Sequence, residues 1–183
     1  MATGRTNAKN LAEAKQASRW RKAIPFRAVN RRGAQGYSAG LQRHHLLPRQ
    51  LLNLNCFGKM FSIIGRNQIG FDDFRCNGLL LPSTEDETIR IGMPLHRGPH
   101  RQYNALIIER VGKIEERWQE ERLRDAELAL VEALLRLRLL QSALRRRLLS
   151  QRRRMILNRK DPLGAGFDFT ELDAMAQVLW EAT

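Results

Sequence analysis

Apolar and polar positions divide the chain into two regimes. From Pro99 onward the pattern is helical, with acidic and basic residues over Glu109–Glu121 at i,i+4 spacing on a solvated face. From Leu130 the apolar residues fall at Leu130, Leu134, Leu137, Leu144 and Leu148, with Gln141 in the missing slot. That 4-3 spacing makes a coiled-coil-like stripe. Leu135, Leu139, Leu140 and Leu149 widen it, so the stripe predicts packing against the body more than dimerisation, with self-association through the 123–155 helix as the other outcome. Trp118 reads as helix packing.

Before Pro99 the apolar runs are short. Residues 37–44 read as extended, and Pro48 suits N1 of a helix through Leu51, Leu52 and Phe57 that ends near Gly58. Apolar residues continue from Met60 to Ile64, and Ile69–Phe74 reads as a loop packed by its aromatics. Asn77-Gly78 is a turn pair, followed by a buried strand over Leu79–Leu81 closed by Pro82. Ser83–Thr88 reads as an acidic surface loop and Thr88–Ile91 as a second short strand ending at Gly92. A short helix is expected over Asn10–Trp20 and flexibility over Arg31–Ser38. Asp161–Gly166 breaks the long helix, and Thr170 starts a short amphipathic one.

The expected organisation is therefore a basic arm over 1–35, a core over 36–110, a long Arg/Leu-rich helix over 111–160 and a short helix over 161–183. Charge changes the picture next. The net charge is +13, and it is concentrated: +10 over residues 1–50 and +10 over 133–160, against −5 over 161–183. A polyanionic partner follows from that balance, nucleic acid first and an anionic membrane surface second. With Cys56 and Cys76 alone there is no disulfide framework, and the two read as small buried residues. No run reaches the length of a membrane span and no secretory signal is visible, so the expected location is cytoplasmic, or a target cell if the protein is a delivered toxin.

All four histidines lie in two tight pairs, His44-His45 and His96/His100. Imidazole is the commonest metal ligand and the usual general base near neutral pH. Adjacent His44 and His45 at a strand end point different ways, so one can bind metal while the other faces substrate. His96 and His100 have i,i+4 spacing, but Gly98 and Pro99 disfavour a continuous helix, so His96 is expected on the preceding loop with His100 and Asn104 as the helical pair. Three protein ligands with an open position describe a catalytic metal. Asp72-Asp73 reads as a solvated pair in preference to a second metal locus.

The strings Arg43-His-His-Leu-Leu-Pro48, Cys76-Asn-Gly-Leu-Leu-Leu-Pro82 and His96-Arg-Gly-Pro-His-Arg-Gln-Tyr-Asn104 resemble the AHH family of HNH, or His-Me finger, nucleases. Three separated motifs occur in the family's order over roughly residues 37–110, with Arg43 where the family name implies Ala. The resemblance implies a small ββα-metal core, a β-hairpin and a helix gripping one divalent ion, Mg2+ or Zn2+. With the helical pattern after Pro99, the expected fold is α+β, mostly helical, with a long C-terminal helical extension. By analogy with nuclease colicins the resemblance makes His45 the general base and His44, His96 and His100 ligands, or Asn104 in place of His96. It gives Asn77 the task of orienting the loop or the base, and an immunity protein would accompany a toxin role. Arg43, Arg97 and Arg101, with the Arg145-Arg146-Arg147 block, are the candidates for phosphate contact.

The function expected is a metal-dependent endonuclease of low sequence specificity, with DNA favoured over RNA, since phosphate contacts position but do not specify. The alternatives are a non-catalytic nucleic-acid-binding module with a structural zinc, and a helical interaction protein in which the histidines are incidental.

Overall fold

A computed structural model describes residues 22–152 and 154–164. The helices expected over Asn10–Trp20 and from Thr170 lie outside them. Among the described residues the fold is α+β and mostly helical, with one two-stranded antiparallel sheet. Strand β1 (Leu41–His45) pairs with β2 (Gly78–Pro82) in a register that sets His44 opposite Leu79 and His45 opposite Gly78.

Between the strands the chain makes a 3-10 turn at Arg49–Asn53, then α1 (Asn55–Ile64), α2 (Arg66–Ile69) and α3 (Phe74–Asn77). The helix expected from Pro48 to Gly58 is thus two elements. Pro48 is the N-cap of the 3-10 turn, and Gly58 sits inside α1 on an exposed face. Gly65, at φ 84°, ends α1 instead, in a conformation that costs a residue with a side chain.

The acidic loop and strand expected over Ser83–Ile91 are also corrected. The segment is helix α4 (Glu85–Ile91), because Thr84 accepts from Glu87 N and three acids occupy the first turn. The β-branched residues Thr88, Ile89 and Ile91 favour a strand only in isolation; the cap decides the outcome. The single long helix is corrected as well. Asp125 accepts from Glu127 N and Leu128 N, which starts a new helix and splits the segment into α5 (Arg101–Glu121) and α6 (Ala126–Leu149).

These last helices form a hairpin whose α6 stripe faces the body. Leu134, Leu137, Gln141, Leu144 and Leu148 are buried with Met60, Phe61, Phe71 and Ile107 of the core. Leu135, Leu139 and Leu149 remain exposed. Gln141 fills its slot by donating to Ile69 O and to Asn77 Oδ1. Trp118 packs in the core with the Arg122 guanidinium 4.9 Å above its ring.

Part of the expected flexible arm is built in. Ile24 N donates to Asp73 Oδ1, Phe74 N donates to Ile24 O, and Pro25 bridges Asp73. Asn30, at φ 46°, closes the following stretch into a loop through Ser38 and the Leu41 carbonyl. Both cysteines are exposed, not buried, and Cys76 Sγ contacts the Asp73 carboxylate.

Candidate metal centre and its surroundings

Strand β1 carries His44 inward and leaves His45 at its end, half-buried. His96 follows β2: its N–H donates to Pro82 O, which continues the backbone bonding of the sheet onto the next segment. Gly98, at φ 75°, then bends the chain, so His96 lies on a loop as expected. His100 is the N-cap of α5, and its carbonyl takes the first helical bond, from Asn104 N.

Three imidazoles converge there. His44, His96 and His100 each offer a nitrogen, and the three lie within 4.8 Å of one another. The His44 and His96 rings are 4.9 Å apart by centroid, and His96 and His100 4.6 Å. Buried Tyr103 packs edge-on to His44 and donates its hydroxyl to Leu46 O at 2.7 Å, so it supports the cluster from below.

The donor set suits a cation. His44 Nε2 is buried without a hydrogen-bond partner, a state that costs free energy unless something answers its lone pair. The other two rings have Nδ1 occupied: His96 faces Gln42 Oε1 and His100 faces Leu157 O, both at 3.2 Å. Oxygen acceptors require N–H at those positions, which leaves the Nε2 lone pairs for a ligand, the arrangement typical of metal-binding imidazole. Burial, reinforced by the neighbouring His96, His100 and His45, lowers the His44 pKa to about 2. Burial with His100 and His45 lowers that of His96 to about 4. Both rings are neutral at pH 7, the form that binds metal.

Asn104 lies one turn into α5, where its amide donates to Gln50. Asn77 is fully buried. Its Oδ1 accepts from Leu47 N at 2.7 Å, and its Nδ2 donates to Leu47 O and Phe71 O. These bonds orient the chain that leaves His45; none of them reaches the His45 ring.

His45 stands on an aromatic bracket that sequence reasoning missed. Its ring stacks on Phe26 at 3.7 Å, and Phe26 meets Phe74 edge-on at 5.1 Å. A Cβ on Gly78, the partner of His45 across the sheet, would lie 2.2 Å from the Phe74 ring. The Asn77-Gly78 pair is therefore a helix-to-strand junction in which the missing side chain makes room, not a two-residue turn. Burial, then Arg49, and less so Arg43, lower the His45 pKa to about 4, against the opposing charge of Asp72. Asp72 itself pairs with Arg66 and Asp73 caps α3, so each carboxylate has a structural partner.

Of the arginines singled out, Arg43, Arg97, Arg101, Arg146 and Arg147 are exposed. Arg43 also donates to Phe26 O, which holds the aromatic under His45. Arg145 is half-buried and reaches across to Arg75 O at 2.8 Å, so it braces α3.

Residues 25–142 match the family described as AHH, a nuclease family of the HNH/ENDO VII superfamily with conserved AHH. The chain belongs to the AHH nuclease family. No curated protein and no solved structure matches it. Membership in this nuclease family makes nucleic acid the substrate class. The family's AHH position is Arg43-His44-His45 here, and the departure falls on an exposed side chain outside the histidine cluster. No helix among the described residues is long and apolar enough to cross a membrane.

Proposed function

We propose that this AHH protein is a metal-dependent endonuclease that hydrolyses phosphodiester bonds, acting on DNA with low sequence specificity. The observation that carries the reading is the buried, unpartnered Nε2 of His44 beside His96 and His100. A structural zinc would call for a closed set of four ligands, whereas three histidines leave a position open.

His44, His96 and His100 would hold one divalent ion; Asn104, whose amide donates to Gln50, is the alternative to His96 as a ligand. Bound there, the ion supplies Lewis-acid stabilisation of charge on the phosphate and leaving oxygens. His45 is the general base. It is neutral at pH 7, half-buried, and next to His44 in the chain without belonging to the group of three. An approaching phosphodiester anion raises the basicity of this imidazole from its depressed value. His45 takes a proton from water as the water oxygen bonds to phosphorus; the P–O bond to the leaving oxygen then breaks, and that oxygen takes a proton from solvent. Exposed Arg43, Arg97 and Arg101 around the cluster, with Arg146 and Arg147 on α6, supply backbone contacts that position without reading sequence.

The test is nicking of supercoiled plasmid, with a structured RNA in parallel, by purified protein under Mg2+, Mn2+, Zn2+ or EDTA. Cleavage that needs a divalent ion supports the proposal. Binding without cleavage under every ion sinks it and favours the structural-zinc alternative.

A further inference from the structure

The loop that carries His96 and His100 has little regular structure of its own between α4 and α5. Its polar groups are met instead by one turn near the far end of the chain. Asp161 Oδ2 accepts from Leu95 N at 2.8 Å, immediately before His96. Asn158 Nδ2 donates to Arg97 O, immediately after it. Leu157 O faces Nδ1 of His100 at 3.2 Å. Three consecutive anchor points of the histidine loop are thus held by residues 157–161, about 60 positions later in the chain.

That turn is shaped for the task. Asp161 is a carboxylate only 5% exposed, and Leu157 is 6% exposed. The second oxygen of Asp161 accepts from Leu163 N, and Asn158 Oδ1 accepts from Lys160 N, so the turn is braced from within. Gly164 is closely packed: a Cβ there would lie 2.9 Å from Ile156 and 3.2 Å from the Asp161 carbonyl. The whole element lies beyond residues 25–142, the part that matches the family.

We propose that the turn Leu157–Leu163 is a positioning element of the histidine site, with Asp161 and Asn158 as positioning residues that fix the His96–His100 loop and the Nδ1–H tautomer of His100. The inference rests on reading His44, His96 and His100 as a divalent-ion site. A carbonyl can only accept, so Leu157 O requires a proton on Nδ1 of His100 and thereby turns the Nε2 lone pair to the ligand. Loss of the Asp161 carboxylate frees Leu95 N and Leu163 N together, and the loop bearing two of the three rings shifts. Outer-shell partners of this kind change metal affinity about 10- to 100-fold when removed.

The test uses the full chain with Co2+ as the probe, titrated by visible absorption and calorimetry, beside thermal melting of the metal-free protein. The variants are Asp161→Ala, Asp161→Asn and Asn158→Asp. The comparison is Thr88→Val, which removes a buried hydroxyl that donates to Thr84 O in α4. Co2+ affinity should fall about 10- to 100-fold in Asp161→Ala. It should fall by less in Asp161→Asn, which keeps one acceptor, and in Asn158→Asp, which keeps the bond from Lys160. Thr88→Val should bind Co2+ like the wild type even where it melts lower. Wild-type affinity in the Asp161 and Asn158 variants, or loss of affinity in step with melting temperature across all four, overturns the inference. Absence of Co2+ binding in the wild type overturns the metal reading itself, a separate result. If Asp161→Ala does not fold, the two conservative variants decide by the same criterion.

Discussion

The imidazole of His45 lies flat on the ring of Phe26, with centroids 3.7 Å apart and planes 4° from parallel. Arg43, two residues before His45, holds the Phe26 carbonyl. The His45 ring and its support are therefore tied together by a short circuit of contacts. Phe26→Leu removes the flat surface and releases the ring to other rotamers. Single-turnover cleavage should fall roughly 10- to 100-fold through misplacement of the His45 ring, with metal affinity unchanged and about 0.5–1.5 kcal/mol of stability lost. Unchanged cleavage would mean that the stack is only packing.

The same bracket leaves no room for a side chain at Gly78. Its φ of −111° is ordinary extended backbone, so any penalty for Gly78→Ala comes from the Phe74 ring, 2.2 Å from the added methyl. Overpacking of this kind costs about 1–3 kcal/mol. Urea unfolding of Gly78→Ala checks it, and the double variant Gly78→Ala/Phe74→Leu should recover part of the loss.

Some of this site was legible in the sequence. The two histidine pairs, the strand closed by Pro82 and the Gln141 gap in the leucine stripe are local patterns, and residue type with spacing is enough to mark them. The Phe26 bracket and the Leu157–Asp161 turn were not legible. Each is a contact between segments far apart in the chain, and nothing in the composition of either segment points to the other. The α4 segment differs for another reason: acidic residues followed by Thr88, Ile89 and Ile91 read as loop and strand, whereas Thr84-x-x-Glu87 caps a helix there. For Asn77 the resemblance implies an orienting role, but its partners, the backbone of Leu47 and Phe71, could be seen only in the folded chain.

The leucine stripe makes a simple contrast. Leu137 is fully buried on α6, while Leu139 is 58% exposed. Leu137→Ala should cost about 2–5 kcal/mol, and Leu139→Ala should stay within about 0.5 kcal/mol. Denaturant unfolding separates them. Equal effects would imply that the outer leucines are buried against another chain in solution.

The histidine cluster should make the metal-free protein sensitive to acid. His44 titrates near 2 when folded, through burial and the neighbouring His96, His100 and His45, against about 6.5 when unfolded. Below pH 6.5 the unfolded chain takes up a proton that the folded chain refuses, so stability is complete above that pH and falls as pH drops. At about pH 5.5 His44 alone removes about 1.4 kcal/mol. Urea melts of chelator-treated protein at about pH 7.5 and 5.5 should show the loss, and His44→Gln should show less of it. An identical slope in His44→Gln would contradict the assignment.

The most direct test of the central claim compares His44→Ala with His45→Ala in one set of preparations, measuring divalent-ion binding, DNA binding and single-turnover cleavage. His44→Ala should lose the ion and the cleavage together. His45→Ala should keep the ion and the DNA, and lose cleavage by about 10²–10⁴-fold. Cleavage by His45→Ala at the wild-type rate, or full ion binding by His44→Ala, would contradict the division of the pair into ligand and base.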